Sequence, residues 1–418
     1  MAGGGRSRCS IMEESLQKYE EKLVRAGLVE PGGVLIGLRG DELSWNREDA
    51  ARGVLEKVMS GIGKRSILFA APAEPYRSII DYLAETSGGV IYPRDFETRI
   101  FLQDLPVLAV FDDRAVAAAL KRRRAVIVAG RGIVTFGKSG PERAFVMCSS
   151  VCFACFVKFF SDALYDARRN RLDSRRRELL RRVIDRIDPL PAATGALMRG
   201  PFETVDLAWA AMAEAGRRMV ADRLVDSNFG NISYLADPVL YISRKGGALD
   251  ELSSGIVAVP LESLSEPPET ASTEFPAHRE IVRATGRRAV LHGHPKFAVI
   301  LSMDCEKKED CEGRDSCHSR CPERRFAGDV PVVAGGAGLQ AFATPCRRPC
   351  ATIPASSFTG TACLQPERMI STRPMSGWSG SKATAAGPAL SVSHEGSGKG
   401  RKSGSSSPTH GRIETLTG

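Results

Sequence analysis

At 418 residues the chain is long enough for two ordinary domains and a tail, and its 43% hydrophobic content excludes a fibrous or wholly disordered protein. The net charge is +9, but nine Lys or Arg against three Glu place +6 of it after residue 333, so residues 1–333 carry only +3 and a nucleic-acid partner is not expected. The longest apolar stretch, 144–160, is interrupted by Ser149, Ser150 and Lys158 and no signal-peptide core opens the chain, so the expectation is a cytoplasmic protein with no membrane partner.

Residues 1–10 are rich in Gly, Arg and Ser and are expected to be disordered. Apolar periodicity predicts helices over 12–26, 49–60, 76–86 and 141–165, a charged helix over 170–187, and strands over 34–38, 66–70 and 125–128. The basic runs at 121–124 and 168–186 are solvated faces. Pro189-Leu190-Pro191 marks a boundary, so the first domain spans 11–187, a linker 188–204 and a second domain 205–333. There a helix over 205–222 precedes a strand near 229–234, two strands (239–243 and 255–259) around the Gly246-Gly247 turn, a loop over 261–276, a helix over 276–285 and the apolar run that opens at Ala289.

The two halves align with each other. Residues 66–72 parallel 289–295, and Asp104-Leu105-Pro106-Val107 parallels Asp329-Val330-Pro331-Val332, with 32 positions from Pro72 to Asp104 and 34 from Pro295 to Asp329. One fold used twice is expected. The first copy lacks a counterpart of 243–274 and has Phe69 and Ala71 where the second has His292 and His294, so it cannot hold the same metal.

His292-Gly293-His294 follows a strand-like run, and strand side chains alternate, so two imidazoles at i and i+2 can meet one cation from one face. Zinc or a similar divalent ion is the natural guest, and Glu274 is placed upstream to act as a base beside it. His278 is assigned a structural role. Eleven cysteines without a secretory signal favour thiols or metal ligands over disulfides. Four of them, Cys305, Cys311, Cys317 and Cys321, lie with His318 in a polar insert (305–321); the alternatives are a structural zinc or Fe–S site and free surface thiols.

Gly230-Asn231-Ile232-Ser233, the glycine turn at 243–246, Ser272-Thr273-Glu274 ahead of a helix carrying His278, and His292-Gly293-His294-Pro295 occur in the order and spacing of the class II aldolase/adducin family, which residues 205–333 resemble; the first half resembles it more distantly. The resemblance implies two tandem class II aldolase-like α/β/α domains with mixed, largely antiparallel sheets, and a homo-oligomer with sites between subunits. It implies a small phosphorylated sugar as substrate, His292 and His294 as metal ligands, Glu274 as proton acceptor, and Asn231, Gly246, Ser272 and Thr273 on phosphate or substrate. Lys245 departs from the small hydroxyl residue expected in that turn.

The family's third histidine, in a Gly-His-Gly after a downstream strand, has no counterpart after Val333, although the first copy echoes the motif as Gly130-Arg131-Gly132. Re-reading codons 351–386 from each third nucleotide permits Val-Ile-Val-Tyr-Gly-His-Gly-Leu, with the His codon straddling Gly360 and Thr361. Residues 334–418 are therefore expected to be an out-of-frame, disordered tail. The resulting expectation is a metal-dependent aldehyde-lyase impaired by its missing ligand, with a sugar-phosphate 4-epimerase or a non-catalytic, adducin-like assembly protein as the alternatives.

Overall fold

The computed structural model describes residues 8–188, 196–225, 229–262, 268–305, 311, 325–327, 330–333, 355–358 and 361–364. The first copy contains α1 (Arg8–Arg25), β1 (Val29–Arg39), β2 (Leu43–Trp45), α2 (Arg52–Ile62), β3 (Ser66–Pro72), α3 (Tyr76–Thr86), β4 (Val90–Ile91), α4 (Phe96–Leu102), β5 (Leu105–Leu108), α5 (Asp113–Arg122), β6 (Ala125–Val128), β7 (Gly132–Gly137), α6 (Pro141–Arg168) and α7 (Ser174–Asp185). The second contains α8 (Val205–Ala221), β8 (Asn231–Ala236), β9 (Val239–Ser243), a 3-10 helix (Leu249–Ser254), β10 (Ile256–Pro260), α9 (Phe275–Thr285), β11 (Ala289–Gly293), α10 (Lys296–Met303), β12 (Arg325–Ala327), β13 (Val330–Val333), β14 (Ala355–Phe358) and β15 (Thr361–Leu364).

The strand orders β2-β1-β3-β7-β6-β5-β4 and β10-β9-β8-β11-β15-β14-β13-β12 superpose position for position, with β10 added at one edge. Both sheets are antiparallel apart from one parallel pair at the equivalent place, β5 with β6 and β13 with β14. Period-two alternation gives each sheet two apolar faces. In the first, Val34, Ile36, Leu68 and Ile133 point toward α1, α3 and α6, while Leu35, Ile67, Val126 and Val134 meet α2 and α5. In the second, Ile232, Tyr234 and Leu291 pack with α8, and Leu240, Ile242 and Val290 pack with α9. Each sheet is thus a layer between helices, the α/β/α arrangement expected.

The copies are joined through α6. Val299 and Ile300 of α10 enter the first copy's core, and Phe297 meets Phe156 and Phe160 at ring-centroid distances of 5.6 Å each. Being covered on all sides, α6 is apolar almost all round, and by length and composition it could cross a membrane. This corrects the expectation that Ser149, Ser150 and Lys158 interrupt the apolar stretch 144–160: Ser149 and Ser150 are buried, Ser150 Oγ donating 2.7 Å to the Val146 carbonyl one turn back.

Charged contacts also cross between the copies. Lys18 of α1 donates to Glu251 at 2.6 Å, and Lys22 reaches both Asp250 at 3.0 Å and Glu251. Burial alone would raise the Glu251 carboxyl, but the hydrogen bonds from Lys18 and Lys22 outweigh it and hold it below its ordinary 4.5. A group whose folded pKa is depressed contributes stability above its unfolded pKa and loses it as pH falls through the folded value. The urea midpoints of wild type and Glu251→Gln are therefore expected to differ at pH 7 and to converge on acidification below about pH 4.5. The difference at pH 7 is small, because Lys18 and Glu251 are open to water.

The structure departs from the sequence reading in several places. Helix α1 begins at Arg8, inside the stretch expected to be disordered. The helices α4, α5 and α10 and the strands β2, β4 and β7 are short, and their apolar periodicity extends over too few residues to stand out. The glycine turn between β9 and β10 contains a 3-10 helix. Residues 355–358 and 361–364, assigned to the tail, form strands instead, because β15 pairs along the edge of β11 (Leu291 with Leu364, His292 with Cys363) and satisfies backbone groups that would otherwise be buried unpaired.

Candidate active site

The histidine motif ends β11. Its pairing with β8 puts His292 opposite Asn231, one register step before the chain leaves the sheet. Gly230, with φ +104°, approaches so closely that an added Cβ would lie 2.5 Å from the His292 carbonyl oxygen, so glycine is required there. His292 and His294 are both buried, with ring centroids 4.9 Å apart.

Each imidazole is held through Nδ1. His292 Nδ1 lies 3.0 Å from Asn231 Nδ2, and its Nε2 is buried without a partner. Asn231 Oδ1 is also buried and unpartnered; turning the amide over exchanges its oxygen and nitrogen, lets Oδ1 accept from Nδ1–H, and leaves the Nε2 electron pair free. His294 Nδ1 lies 3.1 Å from Glu97 Oε2 of α4, and its ring is 5.7 Å from that of Phe229. Burial, with His294 and His278 nearby, lowers the His292 pKa well below 6.5, so the ring is neutral at physiological pH, the form a metal requires. His278 is pushed down to about 3 by burial, and its Nδ1 lies 2.7 Å from Ser233 Oγ.

The glycine turn and the Ser-Thr-Glu segment lie against each other, and Glu274 is within electrostatic reach of His294. Ser272 N donates to the Ser243 carbonyl at 3.1 Å, Lys245 N to the Thr270 carbonyl at 2.8 Å, and Arg244 bridges Ala271, so the glycine turn lies against the Ser-Thr-Glu segment. Ser243 Oγ in turn accepts from Ile232 N, beside Asn231. Ser272 is buried, Thr273 is exposed, and Gly246, at φ +65°, faces open space. Glu274 precedes α9 with its N–H on Ser272 Oγ at 3.3 Å. It is exposed on one side yet hemmed in by protein, and desolvation raises its carboxyl above 4.5; Glu97 adds to the rise and His294 opposes it.

An unsatisfied buried ring nitrogen costs about 1–3 kcal/mol. The orphaned Nε2 of His292, in a neutral imidazole paired with a second histidine, therefore fits a divalent cation in donor type. The number of donors falls short: among the described residues no group of three or more His, Cys, Asp or Glu is gathered to hold a metal ion. Cys305 and Cys311 are half-buried free thiols, while Cys317, Cys321 and His318 lie outside the described residues. In the first copy, Phe69 stacks on Phe111 at 4.9 Å with the Arg131 guanidinium 5.0 Å over Phe111, so aromatic and cationic groups stand where that copy's histidines would be.

Sequence reasoning missed Glu97, Asp95 and Phe229. The proximity of Glu97 and Asp95 to the histidines depends on how one copy docks on the other, and that of Phe229 on a contact 65 positions along the chain, so no local spacing signals either.

Residues 210–348 match the family profile described as Class II Aldolase and Adducin N-terminal domain. The match extends beyond Val333, where the motif comparison found nothing further, and ends before β14. No curated protein matches the chain. Among solved structures, the chain is similar to an L-fuculose-1-phosphate aldolase from Thermus thermophilus, at 17% identity, covering 36% of this chain and 95% of that one with a TM-score of 0.32. It is also similar to YgbL, a putative aldolase/epimerase/decarboxylase from Klebsiella pneumoniae, at 20% identity, covering 45% and 93% with a TM-score of 0.33.

Proposed function

We propose, for a chain that carries a class II aldolase/adducin domain over residues 210–348, a divalent-metal-dependent aldehyde-lyase reaction on a small phosphorylated sugar, performed weakly because the donor set is incomplete. The observation that carries this reading is the pair of buried histidines, their Nδ1 atoms facing Asn231 and Glu97, with the Nε2 of His292 unpartnered and Glu274 within electrostatic reach of His294.

His292 and His294 would hold the ion, zinc or a similar divalent metal, and when bound it would supply Lewis-acid stabilisation of the negative charge that develops as a carbon–carbon bond breaks. Glu274 moves the proton at the reacting carbon, and its raised pKa brings it closer to working pH than an ordinary carboxyl. Asn231, Gly246, Ser272 and Thr273 bind phosphate or substrate with amide, hydroxyl and backbone donors, and Lys245 adds a cation to that turn. Epimerisation by cleavage and re-addition would use the same groups.

The test is retro-aldol cleavage of a panel of phosphorylated ketoses by the purified full-length chain supplied with Zn²⁺ or Co²⁺. Glu274→Gln is expected to lower the rate by about 10²- to 10⁴-fold, and His292→Ala to abolish metal retention. Equal rates for wild type and Glu274→Gln would overturn the assignment. The aromatic filling of the first copy favours a second reading, a non-catalytic adducin-like assembly protein. No cleavage of any substrate, together with a stable oligomer in light scattering, would establish that one instead.

A further inference from the structure

Glu97 belongs to the copy that has lost its histidines, yet its carboxylate lies against His294 of the other copy, 197 positions along the chain. Its position is built rather than incidental. Asp95, buried ahead of α4, accepts from Thr98 N at 2.9 Å and from Thr98 Oγ1 at 2.5 Å, which sets where the helix starts and where Glu97 points. Phe101 of the same helix meets Phe229 edge-on at 5.7 Å, and Phe229 packs on the His294 ring, so α4 is tied to the histidine by an aromatic chain as well as by the carboxylate. Both Asp95 oxygens are engaged by Thr98, while Glu97 Oε2 stands 3.1 Å from the imidazole Nδ1.

We infer that Glu97 is the positioning residue for His294: it accepts the Nδ1–H of the ring, selects that tautomer and leaves Nε2 as the electron-pair donor. The two histidines then match, His292 oriented by Asn231 from its own copy and His294 by Glu97 from the other. Histidine ligands of metals characteristically donate their second ring N–H to a carboxylate or carbonyl, which orients the ring and raises its basicity. The inference rests on His292 and His294 being the metal-binding pair, and it gives the degenerate first copy a task in the second copy's site. A surface ion pair of no consequence is the opposing account, since half of the Glu97 side chain is open to water.

The experiment uses the full-length chain labelled with ¹⁵N-histidine and stripped of metal, with His294 assigned by the signals lost in His294→Gln. Long-range ¹H–¹⁵N correlation is expected to show His294 as the Nδ1–H tautomer in wild type and in Glu97→Gln, whose amide oxygen still accepts, and as predominantly Nε2–H in Glu97→Ala. Co²⁺ titration followed by its visible absorption is expected to weaken about 10- to 100-fold in Glu97→Ala and less in Glu97→Gln. An unchanged His294 tautomer in Glu97→Ala overturns the inference, as does a tautomer shift that appears equally in Glu97→Gln. If neither wild type nor His292→Ala binds Co²⁺, the lyase reading fails, while the tautomer of the metal-free protein still decides the role of Glu97.

Discussion

A chain whose codons after about 334 are returned to the alternative frame is expected to bind Co²⁺ about 100-fold or more tightly than the chain as it stands, equivalent to about 2.7 kcal/mol, and to cleave substrate correspondingly faster. The reason is positional. In the first copy, β6 and β7 flank Gly130-Arg131, and β7 pairs with β3 so that Val134 faces Phe69. In the second, β14 and β15 take the same places, and β15 pairs with β11 so that Cys363 faces His292. The alternative frame puts the His of its Gly-His-Gly across Gly360 and Thr361, at the start of β15 and three residues or fewer from the partner of His292. An imidazole introduced there is on the strand beside the existing pair. Parallel Co²⁺ titrations of the two chains decide the matter, and equal affinities would show that a third donor is supplied from elsewhere. Sequencing the gene across codons 325–345 tests the cause independently; a clean read together with tail peptides in mass spectrometry excludes a slip.

The second large effect is on stability. Phe156→Ala is expected to cost about 3–5 kcal/mol, read as a lowered urea midpoint. Phe156 is buried in the middle of α6, tilted against Phe160 at 4.6 Å and Tyr76 at 5.9 Å, and edge-on to Phe297 of the other copy at 5.6 Å. Removing it leaves a cavity between the copies, so the loss is felt by both. A variant that destabilised only one of two separate unfolding transitions would show that the copies do not share a core.

Much of the site was legible from residue order. Two histidines at i and i+2 after an apolar run, with Ser-Thr-Glu and a glycine turn upstream, are local patterns, whereas the contacts that join them, Ser272 to Ser243 and His292 to Asn231, are long-range. His278 was assigned a structural role, and it is buried against Ser233. The internal repeat was visible through 66–72 and 289–295 because both are central strands of their sheets with similar apolar runs. Short peripheral elements such as α4 and α5 were not visible, since ten residues or fewer supply too little periodicity to separate helix from loop. The tail strands were also missed, because pairing to an open sheet edge depends on backbone hydrogen bonds and little on side-chain pattern.

The sequence by itself determined a mixed sheet covered by helices and two histidines at the end of one strand, because apolar period and motif spacing act over a few residues of chain. Only the tertiary structure decided that α6, Ser149 and Ser150 included, is buried between the two copies, and that Glu97 of the first copy meets His294 of the second. Both follow from how the two copies dock, and docking is set by the summed packing of Phe156, Phe160, Phe229 and Phe297, residues distant in sequence with no common spacing to announce their contact.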